Sequence, residues 1–343
     1  MVRFPYKAAK GRNSIDSLGR SPALLNSFFR CRLLAAITVI PALLCCDPPR
    51  TAPRLALRSP AAYESLDVFF FRSDALGRLD SYQRLSGSDS PLAVSTRGRR
   101  RMLVLANSER DRYEWSAINS YEGMKDITVS LRDESPLHPV MSAETELDTG
   151  GEGSFALELE PLLSEIVLES VSCDFTGKTY EGLSIEAPCA YLTNVSERCS
   201  PFAESFSTVS STVNTGALNP EDLAGMLSPS MLYADLPEPI TSSVSTPFLR
   251  FYCYPNQCPR DDFGSPWTRL VLEGFLDGET WYWPLDINRR DGDGIARNRT
   301  YRLNVTIMRK GVKDPDTAVG GEIARVSMVP QEWQEMDNVT LDL

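Results

Sequence analysis

Several segments of the chain alternate strictly between apolar and polar positions. Tyr301, Leu303, Val305 and Ile307 fall on one side and Arg302, Asn304 and Thr306 on the other. Trp281, Trp283, Leu285 and Ile287 alternate with Tyr282, Pro284 and Asp286, and Phe155, Leu157 and Leu159 with Ala156, Glu158 and Glu160. A period of two buries one face and wets the other, which predicts antiparallel sheet. Leu66–Phe71, Met102–Ala106, Ile166–Val171 and Leu270–Leu272 are more continuously apolar and predict further strands. Asp277-Gly278, set between Phe275-Leu276 and Trp281, predicts a tight hairpin, because both residues tolerate the positive φ of a type I′ turn. Long helical periodicity is missing. Trp115, Ile118, Tyr121 and Met124 suit one short helix. Asn219-Pro220-Glu221-Asp222 reads as an N-cap, a proline at the first helical position and an acidic first turn, opening a helix of about two turns. The pattern predicts an all-β chain with a few short helices.

Two stretches interrupt it. Thr149-Gly150-Gly151-Glu152-Gly153 has strands on both sides, and the expected domain division falls there, giving domains over 59–150 and 151–343. Residues 200–247 are rich in Ser, Thr and Pro and too long for a hairpin loop, so they are expected to form a surface excursion of the second domain. No repeat of solenoid length is visible.

The N-terminus has a different character. Leu33 to Leu44 is a twelve-residue apolar run, preceded by Arg30 and Arg32 and followed by Cys45, Cys46, Asp47, Pro48 and Pro49. The run is too short to span a bilayer as a helix, and the charge-then-apolar order is that of a secretory signal. A cysteine at the cleavage point reads as a lipoprotein signal, with lipid on Cys46 or, alternatively, Cys45. An ordinary signal peptide or a buried helix is the competing reading. The stretch before the run is long for a signal's charged region, and a start codon placed too early would account for it. Residues 1–45 are therefore set aside as leader, and 46–58 are read as a short prosegment or tether.

Setting the leader aside changes the charge. Residues 1–45 hold seven Lys/Arg and one Asp, so 28 basic and 45 acidic residues remain, a net charge of −17. Such a chain repels a phosphate backbone, which excludes nucleic acid as an expected partner. The cluster Arg97, Arg99, Arg100, Arg101 sits with Gly98 just before an apolar strand and reads as a solvated turn. Charge gives little reason for membrane attraction, so attachment is expected through lipid alone. In an oxidising compartment Cys253 with Cys258, and Cys189 with Cys199, could each close a small loop, leaving Cys173 unpaired; free thiols throughout are the alternative.

Catalytic chemistry finds little support. His138, the single histidine, is flanked by Pro136 and Pro139, and no nucleophile motif accompanies it. No His-Glu-x-x-His stretch or paired cysteine spacing points to zinc. Asp291-Gly292-Asp293-Gly294 lacks the closing Glu and the alternating oxygen ligands of a calcium loop. No glycine-rich turn suits a phosphate, and with this many carboxylates a chance pair carries no information about glycoside hydrolysis. Asn194, Asn298, Asn304 and Asn338 stand in glycosylation triplets that read as chance matches. No cofactor or metal is expected.

From Leu66 to the C-terminus, with 200–247 unmatched, the chain resembles the fimbrillin (type V pilin) family of Bacteroidales and its lipoprotein relatives. The resemblance is carried by Leu66-Asp-Val-Phe-Phe-Phe-Arg-Ser-Asp-Ala-Leu-Gly-Arg-Leu79, Met102-Leu-Val-Leu-Ala-Asn-Ser108, Pro139-Val-Met-Ser-Ala143, Asp277-Gly-Glu-Thr-Trp-Tyr-Trp-Pro284, Ile295-Ala-Arg-Asn-Arg-Thr-Tyr301, Thr306-Ile-Met-Arg-Lys-Gly311, Asp314-Pro-Asp316 and Glu332-Trp333, in that order.

The resemblance implies two transthyretin-like β-sandwiches, export as a lipoprotein to the outer membrane and cell surface, and assembly with other pilin subunits by strand addition. It implies arginine-specific removal of an N-terminal strand, for which Arg54 and Arg58 are the candidates. Val339, Leu341 and Leu343, alternating with Asn338, Thr340 and Asp342, are the candidate donor strand, or else the finish of the molecule's own second sheet. One departure stands out: the segment from Cys46 to Arg58 is short and holds three prolines, which makes a poor removable strand. That favours a lipid-tethered accessory subunit, anchor or tip, supporting adhesion. The competing readings are a stand-alone surface lipoprotein that binds glycan or host protein, with exposed aromatics in 200–247 or near Trp267, and more remotely a secreted hydrolase.

Overall fold

The computed structural model describes residues 49–86, 92–108, 118–151, 154–202, 211–257, 267–289, 294–317 and 323–333. In chain order the first half contains strands β1 (Arg50–Thr51), β2 (Arg54–Arg58), β3 (Ser65–Arg72), β4 (Leu79–Ser86), β5 (Ser95–Thr96) and β6 (Arg99–Ala106), helix α1 (Tyr121–Lys125), and strands β7 (Val129–Ser130), β8 (Met141–Asp148), β9 (Ser154–Glu158) and β10 (Glu160–Pro161). The second half contains β11 (Ser164–Cys173), β12 (Glu186–Thr193), β13 (Val195–Ser196), β14 (Arg198–Cys199), β15 (Thr212–Val213), helix α2 (Pro220–Ala224), β16 (Tyr233–Asp235), β17 (Leu249–Cys253), β18 (Asn256–Gln257), β19 (Arg269–Leu276), β20 (Glu279–Asp286), β21 (Gly294–Ile295), β22 (Arg299–Ile307) and β23 (Ala324–Glu332). The all-β class read from the alternation is observed, and residues 48–343 form one compact unit.

The first half is built on a five-stranded antiparallel sheet in the order β10-β8-β6-β3-β4. The continuous apolar run of β3 has a physical cause: both faces of this sheet are covered. Leu66, Val68 and Phe70 pack with Met102, Val104, Leu147 and Leu157 on one side. Phe69 and Phe71 point the other way, into the larger core with Leu103, Leu105, Tyr121 and Met124. Helix α1 lies on that second face, its first turn capped by the Ser120 hydroxyl accepting from the Gly123 N–H at 3.2 Å. Asp67 is fully buried beside Phe69, and its charge is met by Arg84 at 3.1 Å, by the Tyr82 hydroxyl at 2.7 Å and by Ser108. Against the opposite face lies the two-stranded parallel pair β2-β9, with the short β1-β5 pair beside it.

The second half packs two four-stranded sheets, β17-β11-β22-β23 and β16-β12-β19-β20. Strand β22 runs parallel to β11 and antiparallel to β23, and its alternate residues Tyr301, Leu303, Val305 and Ile307 enter the core as the period of two requires. Asp277 (φ 57°) and Gly278 (φ 76°) make the expected positive-φ hairpin between β19 and β20. Helix α2 begins where expected, with the Asn219 side chain accepting from the Glu221 N–H at 3.1 Å, but Gly225 stops it after five residues.

Residues 200–247 are more than a surface excursion. Their strand β16 extends a main sheet beside β12, and Met231, Leu232 and Ile240 are buried in the core. The glycine stretch at 149–153 does not divide the two halves either. Strand β9 pairs with β2, β10 pairs with β8, and Leu157 and Leu159 lie in a core made only of first-half residues. The first sandwich therefore runs through Pro161, and Gly150 and Gly151 lie in a bend inside it.

Candidate functional site

The candidate site is the seat of β2. Pro53, Leu55 and Leu57 point inward and Arg54, Ala56 and Arg58 outward, with Leu55 fully buried and Leu57 half-buried. Each residue of β2 faces one of β9: Arg54 with Ser154, Leu55 with Phe155, Ala56 with Ala156, Leu57 with Leu157, Arg58 with Glu158. The Leu159 N–H donates to the Arg58 carbonyl at 2.8 Å, continuing the ladder past the strand. Among the described residues β2 is the only strand hydrogen-bonded to β9. Its withdrawal would bare the edge of β9 and open the cluster of Leu66, Val68, Phe70, Met102 and Leu157 to water. The sequence offered a weak signal for this strand, the alternation of Leu55 and Leu57, which the flanking prolines obscured.

The slot runs from one end of the sandwich to the other. Arg54 lies at the end where β6 begins and β8 finishes, next to the β1-β5 pair. Arg58 lies at the opposite end, near Glu160, which pairs with Ser142. That opposite end is the junction with the second sandwich. There the Arg297 guanidinium donates to the Glu160 carbonyl at 2.7 Å, the Ser142 hydroxyl at 3.0 Å and the Pro201 carbonyl at 3.2 Å. Strand β7 pairs with β14, and Arg132 bridges to Glu197 at 2.8 Å and Asp222 at 2.9 Å. Arg58 is exposed, and Ser59 just beyond it is held by its hydroxyl, which donates to the Ala61 carbonyl at 2.6 Å.

The junction also buries a carboxyl that nothing in the sequence distinguishes. Glu134 is 1% exposed and accepts from the Tyr254 hydroxyl at 2.8 Å and the Val140 N–H at 3.2 Å. Burial is the dominant influence and pushes its pKa up to about 7, against the opposing pull of those donors. It joins the halves as a buried polar contact, since Tyr254 belongs to the second sandwich and Val140 to the first.

The remaining expected sites are distributed as follows. Arg54 and Arg58 bracket β2. Cys45, Cys46, Cys258, Val339, Leu341 and Leu343 lie outside the described residues. Cys173, Cys189, Cys199 and Cys253 are free thiols. The expected Cys189–Cys199 bridge is not formed, because extended strand separates the two. Cys189 pairs opposite Asp235 near the start of β12, and Cys199 sits opposite Val129 at the junction. The four residues from Cys189 to Thr193 alone span about 13 Å, beyond the roughly 7 Å that a disulfide allows between Cα atoms. Burial pushes the Cys199 thiol up to about 12. His138 is exposed in its loop, its N–H donating to the Ser135 carbonyl. Among the described residues no His, Cys, Asp and Glu group could hold a metal ion, and no helix is long and apolar enough to cross a membrane. Trp267 is buried, and the aromatic residues described within 200–247 are Phe202, buried, and Tyr233, half-buried.

No family model matches the sequence, and neither does any curated protein. Solved structures do match the fold. A proposed cell adhesion protein from Bacteroides eggerthii superposes with a TM-score of 0.61 at 17% identity, over 83% of this chain and 97% of its own. A fimbrilin from Porphyromonas gingivalis gives 0.59 at 14% identity, over 82% and 97%. The tip fimbrial protein Mfa3 of the same organism, truncated at its C-terminus, gives 0.51 at 10% identity, over 83% and 100%. The chain has the fimbrillin fold, as its ordered motifs led one to expect.

Proposed function

We propose that this protein is a non-enzymatic fimbrillin-like surface lipoprotein, an accessory pilus subunit of the anchor type. In this reading it is held at the outer membrane by lipid on Cys46 and joined to other pilin subunits by strand exchange. The observation that carries the reading is the occupied slot of the first sandwich, with Leu55 buried in its core. A subunit that keeps its tether keeps β2, and needs no incoming strand to complete itself. It can still donate. The ten residues after Trp333 reach at most about 35 Å when extended, against about 17 Å for a five-residue strand such as β2. Half of that tail suffices to fill a neighbour's slot through Val339, Leu341 and Leu343, and the other half spans the gap between subunits. The likeness to fimbrillin and tip-protein structures supports assembly of this kind.

A second reading is favoured by the exposure of Arg58 at the end of β2. Cleavage there vacates the slot and makes the molecule an acceptor, a shaft or tip subunit supporting adhesion. The two readings separate on the N-terminus of the mature surface protein. An acylated Cys46 supports the anchor; a terminus at Ser59 refutes it in favour of a processed, accepting subunit, and a terminus at Thr51 or Leu55 refutes the tether while leaving β2 in its slot. The stand-alone glycan-binding alternative gains no support from the buried Trp267 and Phe202.

A further inference from the structure

The net charge of the mature chain hides a pole of the opposite sign. Strands β3, β6 and β8 share a register in which Arg72 faces Arg100 and Arg99 faces Asp148, while their other ends meet at Ala106 and Met141 beside the junction. The chain's first described residues come to the same pole. Arg50 pairs opposite Thr96, and the Arg97 N–H donates to the Pro49 carbonyl at 3.1 Å. Arg54 bridges to Leu92 close by. Pairing thus gathers Arg50, Arg54 and Arg72 around the turn that holds Arg97, Arg99 and Arg100.

These six arginines are not equivalent. Asp80, its side chain 1% exposed, takes Arg72 at 3.6 Å and Arg100 at 3.4 Å. Burial raises the Asp80 carboxyl, but donations from Thr96 and the Arg100 charge outweigh it and hold the group below the usual carboxylate range. Arg50, Arg54, Arg97 and Arg99 are exposed and make no ion pair among the described residues. An open depression of about 430 Å³ lies among Arg72, Ser73, Asp74, Thr96, Arg99 and Arg100. The eight-residue strands put the far ends of the sheet about 27 Å away, well past the Debye length of about 10 Å at 0.1 M salt. The acidic second sandwich is therefore largely screened from whatever this pole meets.

We propose that this pole is a docking face for the anionic lipid headgroups of the membrane that carries the tether, through Arg50, Arg54, Arg97 and Arg99. The inference rests on the reading that Cys46 is acylated, since the four residues from Cys46 to Arg50 keep the lipid within about 14 Å of the patch. Lipid and arginines then act together: the lipid holds the chain at the surface, and the arginines fix which face of the first sandwich lies against it. Docked this way, the first sandwich lies on the membrane and the junction and second sandwich point outward.

The test uses the mature chain with Cys46→Ser, which removes the acyl chain and leaves the patch. It is sedimented with phosphatidylcholine vesicles, with and without phosphatidylglycerol. Binding to the anionic vesicles alone is expected, lost at about 1 M salt where the Debye length falls to about 3 Å. Each guanidinium near an anionic surface is worth about fivefold in affinity, so Arg97→Gln with Arg99→Gln should weaken binding roughly thirtyfold. Both side chains are exposed, and circular dichroism of the double variant should match the parent. Equal binding to neutral vesicles, or a double variant that binds like its parent, overturns the proposal. Displacement by inorganic phosphate at constant ionic strength overturns it too, marking a single-anion pocket instead of a membrane face. The mass of the N-terminal peptide from the cell-surface protein is read separately. An acyl-free Cys46 overturns the tether reading and the membrane as occupant; an acylated Cys46 with unbound vesicles overturns the docking face alone.

Discussion

Replacing Leu55 with alanine should loosen β2 selectively and expose the bond after Arg58 to proteolysis. Leu55 is fully buried, and alanine removes three carbons from the first core. At about 0.8 kcal/mol per buried methylene, the transfer loss is about 2.4 kcal/mol. The further cavity penalty should be small, because β2 and β9 form a separate two-stranded cover that can settle inward to fill the space. A loss of about 2.5 kcal/mol raises the population of the detached strand about sixtyfold, at 1.4 kcal/mol per tenfold. Where opening and closing are fast relative to cleavage, the cleavage rate follows that population.

The assay is digestion of the mature chain by an arginine-specific protease at limiting concentration, following the appearance of a Ser59 N-terminus. Ala56→Ser, on the exposed side of the same strand, is the control and should cleave at the parent rate. An L55A rate indistinguishable from wild type would refute the argument, because it would mean that β2 is not held by its inward side chains.

Two further predictions concern buried charge. Glu134 has its pKa raised by burial to about 7 from an ordinary 4.5, so its contribution is fully present below pH 4.5 and is lost as pH rises through about 7. Glu134→Gln should therefore gain on wild type between those pH values, by about 3 kcal/mol at 1.36 kcal/mol per pKa unit. Urea unfolding of both proteins at intervals from pH 5 to 8 checks the sign, and a difference that stays flat with pH would contradict it. Arg84→Met strands the fully buried Asp67 with only neutral donors. Losing one member of a buried pair should cost about 3–5 kcal/mol, read as a fall in the thermal midpoint of the first sandwich.

What the sequence disclosed followed the strength of its periodic signals. Tyr301 to Ile307 could be placed with one face inward because one face is inward. Leu66 to Phe71 could be placed as a strand, but a run buried on both faces does not say what covers each, and here the two covers are β2-β9 and α1 with the second core. Glycine at 150 and 151 suits a domain edge and a turn alike, since backbone freedom serves both and only strand pairing separates them. The cluster from Arg97 to Arg101 read as a solvated turn because Arg50, Arg54 and Arg72 are remote in sequence and reach it only by pairing. Glu134 gave no warning, because its partners, Val140 and Tyr254, are drawn together only when the two halves pack.

The seating of β2 also bears on why a single cut would matter. Inward burial of Leu55 and half of Leu57 gains about 3–4 kcal/mol. Ordering five residues of backbone costs about 5–10 kcal/mol. The hydrogen bonds to β9, at about 1 kcal/mol each, offset most of that cost before the strand's tie to the chain is counted. A strand with so little net hold stays in place because the chain ties it to β3, and covalent attachment supplies a high effective concentration. Cutting after Arg58 removes that tie and lets the whole strand leave. Cutting after Arg54 does not, because Leu55 stays joined to Ser59 and keeps its seat opposite Phe155. Of the two arginines, only Arg58 is placed so that a cut after it can vacate the slot, and a Leu55 terminus should leave the slot filled.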